Sequence, residues 1–414
     1  MKAGVKKVQF VELEGNTAGY FAVLGVLAAL VLAGLGAAFY MEHHGHIVTG
    51  MNNQIVWGVP HVFAVFLIVA ASGALNVASI GSVFAKTPYK PLAPLSGLLA
   101  VALLIGGLVV LVLDLGHPDR LIVAMTTYNF KSIFAWNIFL YTGFIVVVAV
   151  YLWMLMDRRM AGYSKPAGFG AFLWRLILTT GTGSIFGFLV ARDAYDAAIL
   201  APLFVVLSFA YGMAIFILVM MAIYNWSDRP LGDAIVLRLK NLLGIFIAGA
   251  LYFVIVHHLT NLYYTERLGF EGFILLHGGA FTAALWLGQV LIGGIVPMVL
   301  LWHPTLGRSR PVIALASVLV IIGGLAQMYV TIPGGQAYPL EIFPGKEVLA
   351  SSFFDGAIAQ YHPTLPEFTL GIGGFAFALL LVALAIKVLR FLPASLDDTA
   401  VDPHHHPAAV PATA

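Results

Sequence analysis

The chain is expected to be an all-α integral membrane protein of about ten transmembrane helices, and three observations predict it. Of its 414 residues 61% are hydrophobic and only 10% charged, with a mean hydropathy of +0.95, a balance that a soluble globule does not carry. About ten long apolar stretches are bare of charge at their centres. Each is long enough for a hydrocarbon core roughly 30 Å thick, which takes about 20 helical residues to cross with every backbone group bonded internally. The Lys and Arg residues fall mostly on one side of the implied membrane.

Taken in order, the apolar runs place helices at Ala18 to Tyr40, Trp57 to Phe84, Leu95 to Asp114, Ser132 to Met156 and Ala171 to Val190. Five more follow at Leu200 to Tyr224, Lys240 to Tyr264, Phe273 to Leu301, Pro311 to Ile332 and Glu367 to Leu392. Glycines such as Gly106, Gly107, Gly293, Gly294, Gly323 and Gly324 are read as close helix packing. The organisation is then a cytoplasmic N-terminal segment over 1–17, a ten-helix membrane domain over 18–393 and a disordered cytoplasmic tail over 394–414.

Orientation follows from the basic residues, because loops kept in the cytoplasm carry the Lys/Arg excess. About sixteen of the 21, Arg175 among them, lie on the side of the N-terminus, and Arg120, Lys131, Arg192, Arg267 and Lys346 lie opposite. Both termini are therefore expected in the cytoplasm of a bacterial inner membrane, with Met41 to Val56, Leu115 to Lys131 and Pro333 to Pro366 outside. Residues Met1 to Thr17 show no short apolar core before a small-residue cleavage site, so no cleaved signal peptide is expected. His404, His405 and His406 sit in the Pro/Ala-rich tail and are read as solvated rather than metal-binding. Cysteine is absent, so the chain has no thiolates for an iron–sulfur cluster or for covalent haem attachment. Any cluster it works with belongs to a partner.

Converting position to depth collects the ionisable groups, with other polar and aromatic residues, at the outer helix ends. They include Trp57 and His61 opening the second helix, Asp114 closing the third, Arg192 after the fifth, and His257, His258, Tyr263, Glu266 and Arg267 ending the seventh. Glu271 and His277 open the eighth, and Gln327, Tyr329 and Gln336 end the ninth. The inner halves offer neutral groups such as Asn76, Ser79, Thr179, Ser208, Tyr211 and Gln289, and no carboxylate lies near the middle of a span. A charge there would mark an ion or proton relay, and its absence argues against a pump built on buried acids.

A quinone ring needs an aromatic or aliphatic slot between helices and one or two groups that exchange protons. His61 and Asp114 are the candidates for that exchange, with Arg192, His258 and Gln336 in support and Trp57, Tyr128, Tyr263 and Phe273 as candidate walls. Asp114 ends an apolar run, precedes a Gly and a Pro, and has Arg120 nearby for pairing. Each of these residues also has a plainer reading, as an anchor in the headgroup zone. His43, His44 and His46 make an HHxH cluster that is read as a solvated loop, and no metal site is assigned. Haem held between His61 and His257 or His277 is not expected, since all three lie near the outer boundary and no helix carries a pair spaced for two stacked haems. No nucleic-acid partner is expected; the surrounding partner is membrane lipid.

These residues resemble the NrfD family of integral membrane subunits, which includes the polysulfide reductase membrane subunit, HybB and DsrP. The resemblance covers Trp57 to Pro393 and rests on Trp57-Gly58-Val59-Pro60-His61, on Leu113-Asp114-Leu115-Gly116-His117-Pro118, and on Ser132 with Trp136. It rests further on His258-Leu259-Thr260-Asn261-Leu262-Tyr263, on Gly334-Gly335-Gln336, and on Tyr361 through Glu367. The run from Gln54 to Ile80 is most similar to the DsrP branch, associated with sulfite reduction. His117 stands where the family segment Leu-Gly-Arg-Pro carries Arg, which makes the positive charge there conditional on pH.

The resemblance implies two four-helix bundles plus two further helices. It also implies a haem-free quinone-binding subunit, with menaquinone or ubiquinone as its ring, exchanging electrons with an iron–sulfur subunit on its outer face. The implied neighbours are a periplasmic ferredoxin-like iron–sulfur subunit, a multihaem cytochrome c, a cytochrome b-type membrane subunit and a cytoplasmic iron–sulfur subunit, in a respiratory or sulfur-metabolising complex. A secondary transporter, which would break helices near the midplane around an ionisable site, a passive anchor for redox partners and a haem b-containing subunit are the alternatives.

Overall fold

The structure is a computed structural model describing residues 8–13, 17–339 and 357–401. Lys346, with the rest of 340–356 in the expected outer segment before Pro366, and His404 to His406 lie outside the described residues. Ten long helices organise the described chain: α1 Ala18–His44, α2 Val59–Ser82, α3 Thr87–Leu113, α4 Ile133–Met156, α5 Ser164–Gly187, α6 Leu200–Trp226, α7 Asp233–Tyr263, α8 Ala280–Trp302, α9 Arg310–Ala337 and α10 Leu365–Val388. Nine are long and apolar enough to cross a membrane. The exception, α5, has its hydropathy lowered by Arg175, Thr179, Thr182 and Ser184.

Several ends differ from expectation for local reasons. Helix α5 begins at Ser164 rather than Ala171, because Pro166 falls in the first turn, where its missing N–H has no partner to lose. Arg175 therefore lies mid-helix, not at the terminal end of the bundle. Helix α7 begins at Asp233, whose carboxylate favours a helix N-terminus, rather than at Lys240. The expected eighth helix is broken at Gly278 and Gly279, the latter at φ +57°, so Leu268–Gly272 and Phe273–His277 form separate short turns before α8. Helix α9 runs on to Ala337, widening over Val330–Gly334 where Pro333 cannot donate.

Helices α2 to α5 close one four-membered ring through α2–α3, α3–α4, α4–α5 and α2–α5 packing; α6 to α9 close a second in the same way. The rings join where α2 crosses α6 at Gly73, whose added Cβ would lie 1.6 Å from the Ser208 carbonyl oxygen. Only a glycine permits that approach. Helix α2 is almost wholly buried and changes direction at Leu75. There Ser96 Oγ donates to the Ala74 carbonyl (2.7 Å) and accepts from the Ala78 N–H (3.0 Å), satisfying backbone groups at the bend. Helix α10 packs on α3 and α2, and α1 packs along α10.

The described segments nearest the two ends of the sequence meet at one face. Strand β1 (Phe10–Val11) pairs antiparallel with β2 (Leu392–Pro393). The tail expected to be disordered from Ala394 starts as packed chain. Ala394 donates to the Gln9 carbonyl, Leu396 is fully buried and exchanges backbone bonds with Pro230 and Gly232, and Asp398 Oδ1 accepts from the Ala234 N–H at the start of α7. Burial of Leu396 and the cap at α7 hold this stretch, which composition alone does not reveal.

Candidate functional site

At the face opposite the paired termini, the start of α2 is fixed from two sides. Gln336, at the end of α9, accepts from the Val56 and Trp57 N–H groups (3.0 and 3.1 Å) and donates to the Trp57 and Ile332 carbonyls (3.1 and 2.9 Å). Its amide is fully used in holding backbone. From the other side, the Tyr361 hydroxyl accepts from the Val59 N–H (2.7 Å) and donates to Glu367 Oε1, while Glu367 Oε2 accepts from the Gly50 and Thr364 N–H groups. Burial and then the Glu367 charge push the Tyr361 hydroxyl pKa far up, so it stays a proton donor. Gly58 leaves room for this arrangement; a Cβ there would sit 2.5 Å from both Glu367 Oε1 and the Tyr361 oxygen. The result is a rigid platform for Trp57 and His61.

His61 Nδ1 lies 2.7 Å from Asp114 Oδ2, and His46 Nε2 lies 3.8 Å from Oδ1 and 3.1 Å from the Asp114 carbonyl oxygen. The Asp114 side chain is 1% exposed, yet neither carboxylate oxygen nor His61 Nδ1 finds a well-aligned hydrogen-bond partner among the described residues. The pairing is close but bent. Burial pushes the Asp114 carboxyl up, but the two imidazoles outweigh it and hold the carboxyl below the usual carboxylate range. The Asp114 carboxylate beside it raises His46 in turn, against its partial burial. His46, read from sequence as part of a solvated loop, is therefore one of the two imidazoles on Asp114. Gly45, at φ +79°, turns the chain after α1 so that His46 reaches Asp114. Arg120 is exposed, and the Asp114 partners are the two histidines.

Trp57 stacks on His61 with ring centroids 6.0 Å apart and planes 25° from parallel, and meets Phe134 and Phe186 at 6.0 and 6.2 Å. Arg192 joins through backbone, donating to the Gln54 carbonyl (3.0 Å), while Gln54 donates to the Ala337 carbonyl (3.0 Å). The structure thus brings Trp57, His61, Asp114, Arg192 and Gln336 to one region. The other sequence candidates go elsewhere. Tyr128 packs on Phe130 and Phe139, and Tyr263 is 88% exposed at the end of α7, so neither ring is in contact with Trp57 or His61. His117 and Asp119 pair in the open at 3.7 Å.

His258 belongs to the second ring. Its Nδ1 lies 2.8 Å from Glu271 Oε2, and Asn261 Nδ2 donates to Oε1 (2.8 Å). Arg267 donates to Asn261 Oδ1 (3.0 Å) and to the Asp196 carbonyl (2.7 Å). Glu271 is wholly buried, and His257 Nδ1 is buried without a partner among the described residues. A cavity of about 30 Å³ beside them is lined by His257, His258, Gln327 and Thr331, with Phe270 and Ile274 as apolar walls. The geometry places His61 and His257 in different rings with different partners, and His277 is exposed. Phe273 lies in the second ring against Phe281 and Tyr338.

The chain is similar to known proteins over most of its length. The family described as polysulphide reductase, NrfD, matches residues 47–339. An Hdr-like menaquinol oxidoreductase integral membrane subunit of Archaeoglobus fulgidus is 26% identical, spanning 93% of this chain and 97% of its own. A putative dimethyl sulfoxide reductase membrane subunit of Halobacterium salinarum is 27% identical over 89% of this chain and 90% of its own. The menaquinone reductase integral membrane subunit of Nitratidesulfovibrio vulgaris is 24% identical over 87% and 89%.

Proposed function

The chain belongs to the NrfD family, and we propose on that premise that it is the quinone-interacting integral membrane subunit of a multisubunit electron-transfer complex, working at His61 and Asp114. The single observation that carries the site is a buried carboxylate, paired at 2.7 Å with an imidazole under an indole ring, whose oxygens still lack aligned partners. Buried polar atoms are nearly always satisfied, so these acceptors point to a ligand with a hydroxyl group to donate, as a quinol has. The residues fit a quinone: Trp57, Phe134 and Phe186 supply the apolar wall and His61 with Asp114 the polar end.

When bound, a quinone supplies a couple of two electrons and two protons. His61 Nδ1 and Asp114 Oδ2 hold and exchange the proton at the buried end, and Trp57 fixes the plane against His61. His46, 29% exposed and 3.8 Å from Asp114 Oδ1, carries that proton between the carboxylate and solvent. Arg192 and Gln336 act through Gln54 and the Trp57 backbone as positioning residues.

Electrons pass to an iron–sulfur subunit docked on this face, a periplasmic ferredoxin-like protein, since the chain has no cysteine to hold a cluster. The remaining members of a respiratory or sulfur-metabolising complex in the inner membrane are then a multihaem cytochrome c, a cytochrome b-type membrane subunit and a cytoplasmic iron–sulfur subunit. The two relatives named for menaquinol and menaquinone favour that ring over ubiquinone. Both termini then lie in the cytoplasm, as the basic residues suggest. The test is lipid extraction of the purified protein together with quinol-dependent reduction of the partner clusters in Asp114→Asn and His61→Gln. Co-purified quinone with lost turnover supports the reading. Unchanged turnover in both variants overturns the site, and solute binding without quinone moves the protein to the transporter class.

A further inference from the structure

Beneath the His61 site, the first ring contains a ladder of neutral polar groups with one permanent charge across it. From the site end inward come Asn137, Thr182 and Thr179, the last donating to Ser72 Oγ (2.5 Å), which in turn donates to the Arg175 carbonyl (3.1 Å). Beyond Arg175 come Asn76, Ser79 and Ser82, with the Tyr151 hydroxyl buried and without an aligned hydrogen bond among the described residues. Joined by water, such hydroxyls form a path that protons can follow.

Arg175 occupies the middle of this ladder. It is the twelfth residue of the 24-residue helix α5, about 17 Å from either end at about 1.5 Å per residue. It is 1% exposed. Nη2 donates to Asn76 Oδ1 (3.0 Å), the guanidinium carbon lies 4.9 and 5.1 Å from the Phe172 and Phe209 ring centres, and Nε and Nη1 have no partner among the described residues. None of these partners is a carboxylate. A buried charge held, among the described residues, by one amide and two ring faces with no carboxylate is costly, and its field acts along the ring unscreened by a counter-ion there. A guanidinium stays charged at neutral pH, whereas a lysine in the same place can shed its proton.

We propose that Arg175 is an electrostatic proton barrier, whose uncompensated positive charge stops protons from crossing the ladder between the His61 and Asp114 site and the face that carries the termini. Fixed positive charge excludes protons and cations from an otherwise conducting polar path. Protons handled at Asp114 are thereby confined to the His46 side. The inference rests on the proposed site for the direction of release, but the barrier itself is a property of the ring and is measured without quinone.

The full chain with its co-purifying subunits is reconstituted in phosphatidylcholine vesicles containing a trapped pH-sensitive dye, and proton entry is followed under a valinomycin-set potassium potential. Arg175→Met is expected to raise passive proton flux about tenfold or more, the effect of lowering a barrier by one charge interaction of modest size. Arg175→Lys keeps a charge and is expected to stay within about threefold of the parent, a difference of less than one decade in barrier crossing. Asn76→Asp leaves Arg175 in place and puts a carboxylate on its guanidinium, cancelling the field, and is expected to leak like Arg175→Met. Quinol-dependent turnover in detergent, where no gradient exists, is expected to stay normal in all three. Tight vesicles with Asn76→Asp or Arg175→Met overturn the barrier, as does a leak in Arg175→Lys equal to that of Arg175→Met. If Arg175→Met does not assemble, Asn76→Asp decides. Loss of detergent turnover in Asp114→Asn tests the quinone site separately.

Discussion

The two four-helix rings carry similar chemistry at one face and differ in what lies below it. The first sets His61 and His46 against Asp114; the second sets His258 and Asn261 against Glu271. Below the first, the polar ladder is crossed by the Arg175 cation. Below the second, Gln289 and Gln327 keep amide atoms without a partner among the described residues, beside a cavity of about 30 Å³ that Tyr211 also lines, and the buried cation of this ring, Lys240, lies only seven residues into α7 with its ammonium on the Leu301 carbonyl. Gln289 lies in the widened stretch of α8, Ala284–Ile295. Room for about one water is what a cavity of that size offers. A histidine and carboxylate pair is therefore not enough to define a site's role in this molecule; the groups behind it decide where a proton can go next.

The largest expected effect separates the rings directly. Asp114→Asn is expected to lower quinol-dependent turnover about a hundredfold or more, the usual scale for removing a proton-exchanging group, whereas Glu271→Gln is expected to cost less than about tenfold. Equal losses would mean that the ring-shaped ligand or its protons depend on both rings, and the comparison would fail. Gly58→Ala attacks the platform without touching Asp114. Crowding Tyr361 and Glu367 is expected to cost about 1–3 kcal/mol of stability by thermal unfolding in detergent, with a raised KM for quinol.

A pH profile sharpens the His46 assignment. The raised imidazole keeps its pairing with Asp114 at and above the usual histidine range and loses it as pH rises through the raised value. The lowered Asp114 carboxyl keeps the pairing as pH falls, until below the usual carboxylate range. The parent protein should therefore slow on the alkaline side. His46→Asn should be a few-fold slower at neutral pH and flat across that limb, the scale of losing one relay among several routes to solvent. A parent-like alkaline limb in that variant removes His46 from the relay. Smallest of all, Tyr263→Ala should stay within about twofold in detergent turnover, as an exposed side chain outside the slot.

How much is legible in the sequence follows from which signals are local. The ten helices and the polar face can be read because apolar runs and charge bias are local properties, and His61 and Asp114 can be paired because alternating crossings put them at one depth. The division of His258 from that pair cannot, since depth says nothing about which ring a helix joins. A start at Ala171 puts Arg175 at a helix end, seven residues away from its true depth; the Ser164-Lys165-Pro166 start is the signal that corrects it. Glu271 is visible as polar but not as a partner, because a short helical turn folds it back on α7. His46 depends on one glycine turn after α1. The packing of Leu396 depends on contacts with residues more than 160 positions away, which no pattern in the tail announces.

Helix α1 leans on α10, the last of the ten to be made. At about 5–20 residues per second, the ribosome takes some tens of seconds to deliver the second after the first. Throughout that interval the leading helix stands in lipid with its final neighbour still unmade, and the short β1 strand before it has nothing to pair with. The molecule is closed like a clasp, by its two ends, only after everything between them has been threaded into place.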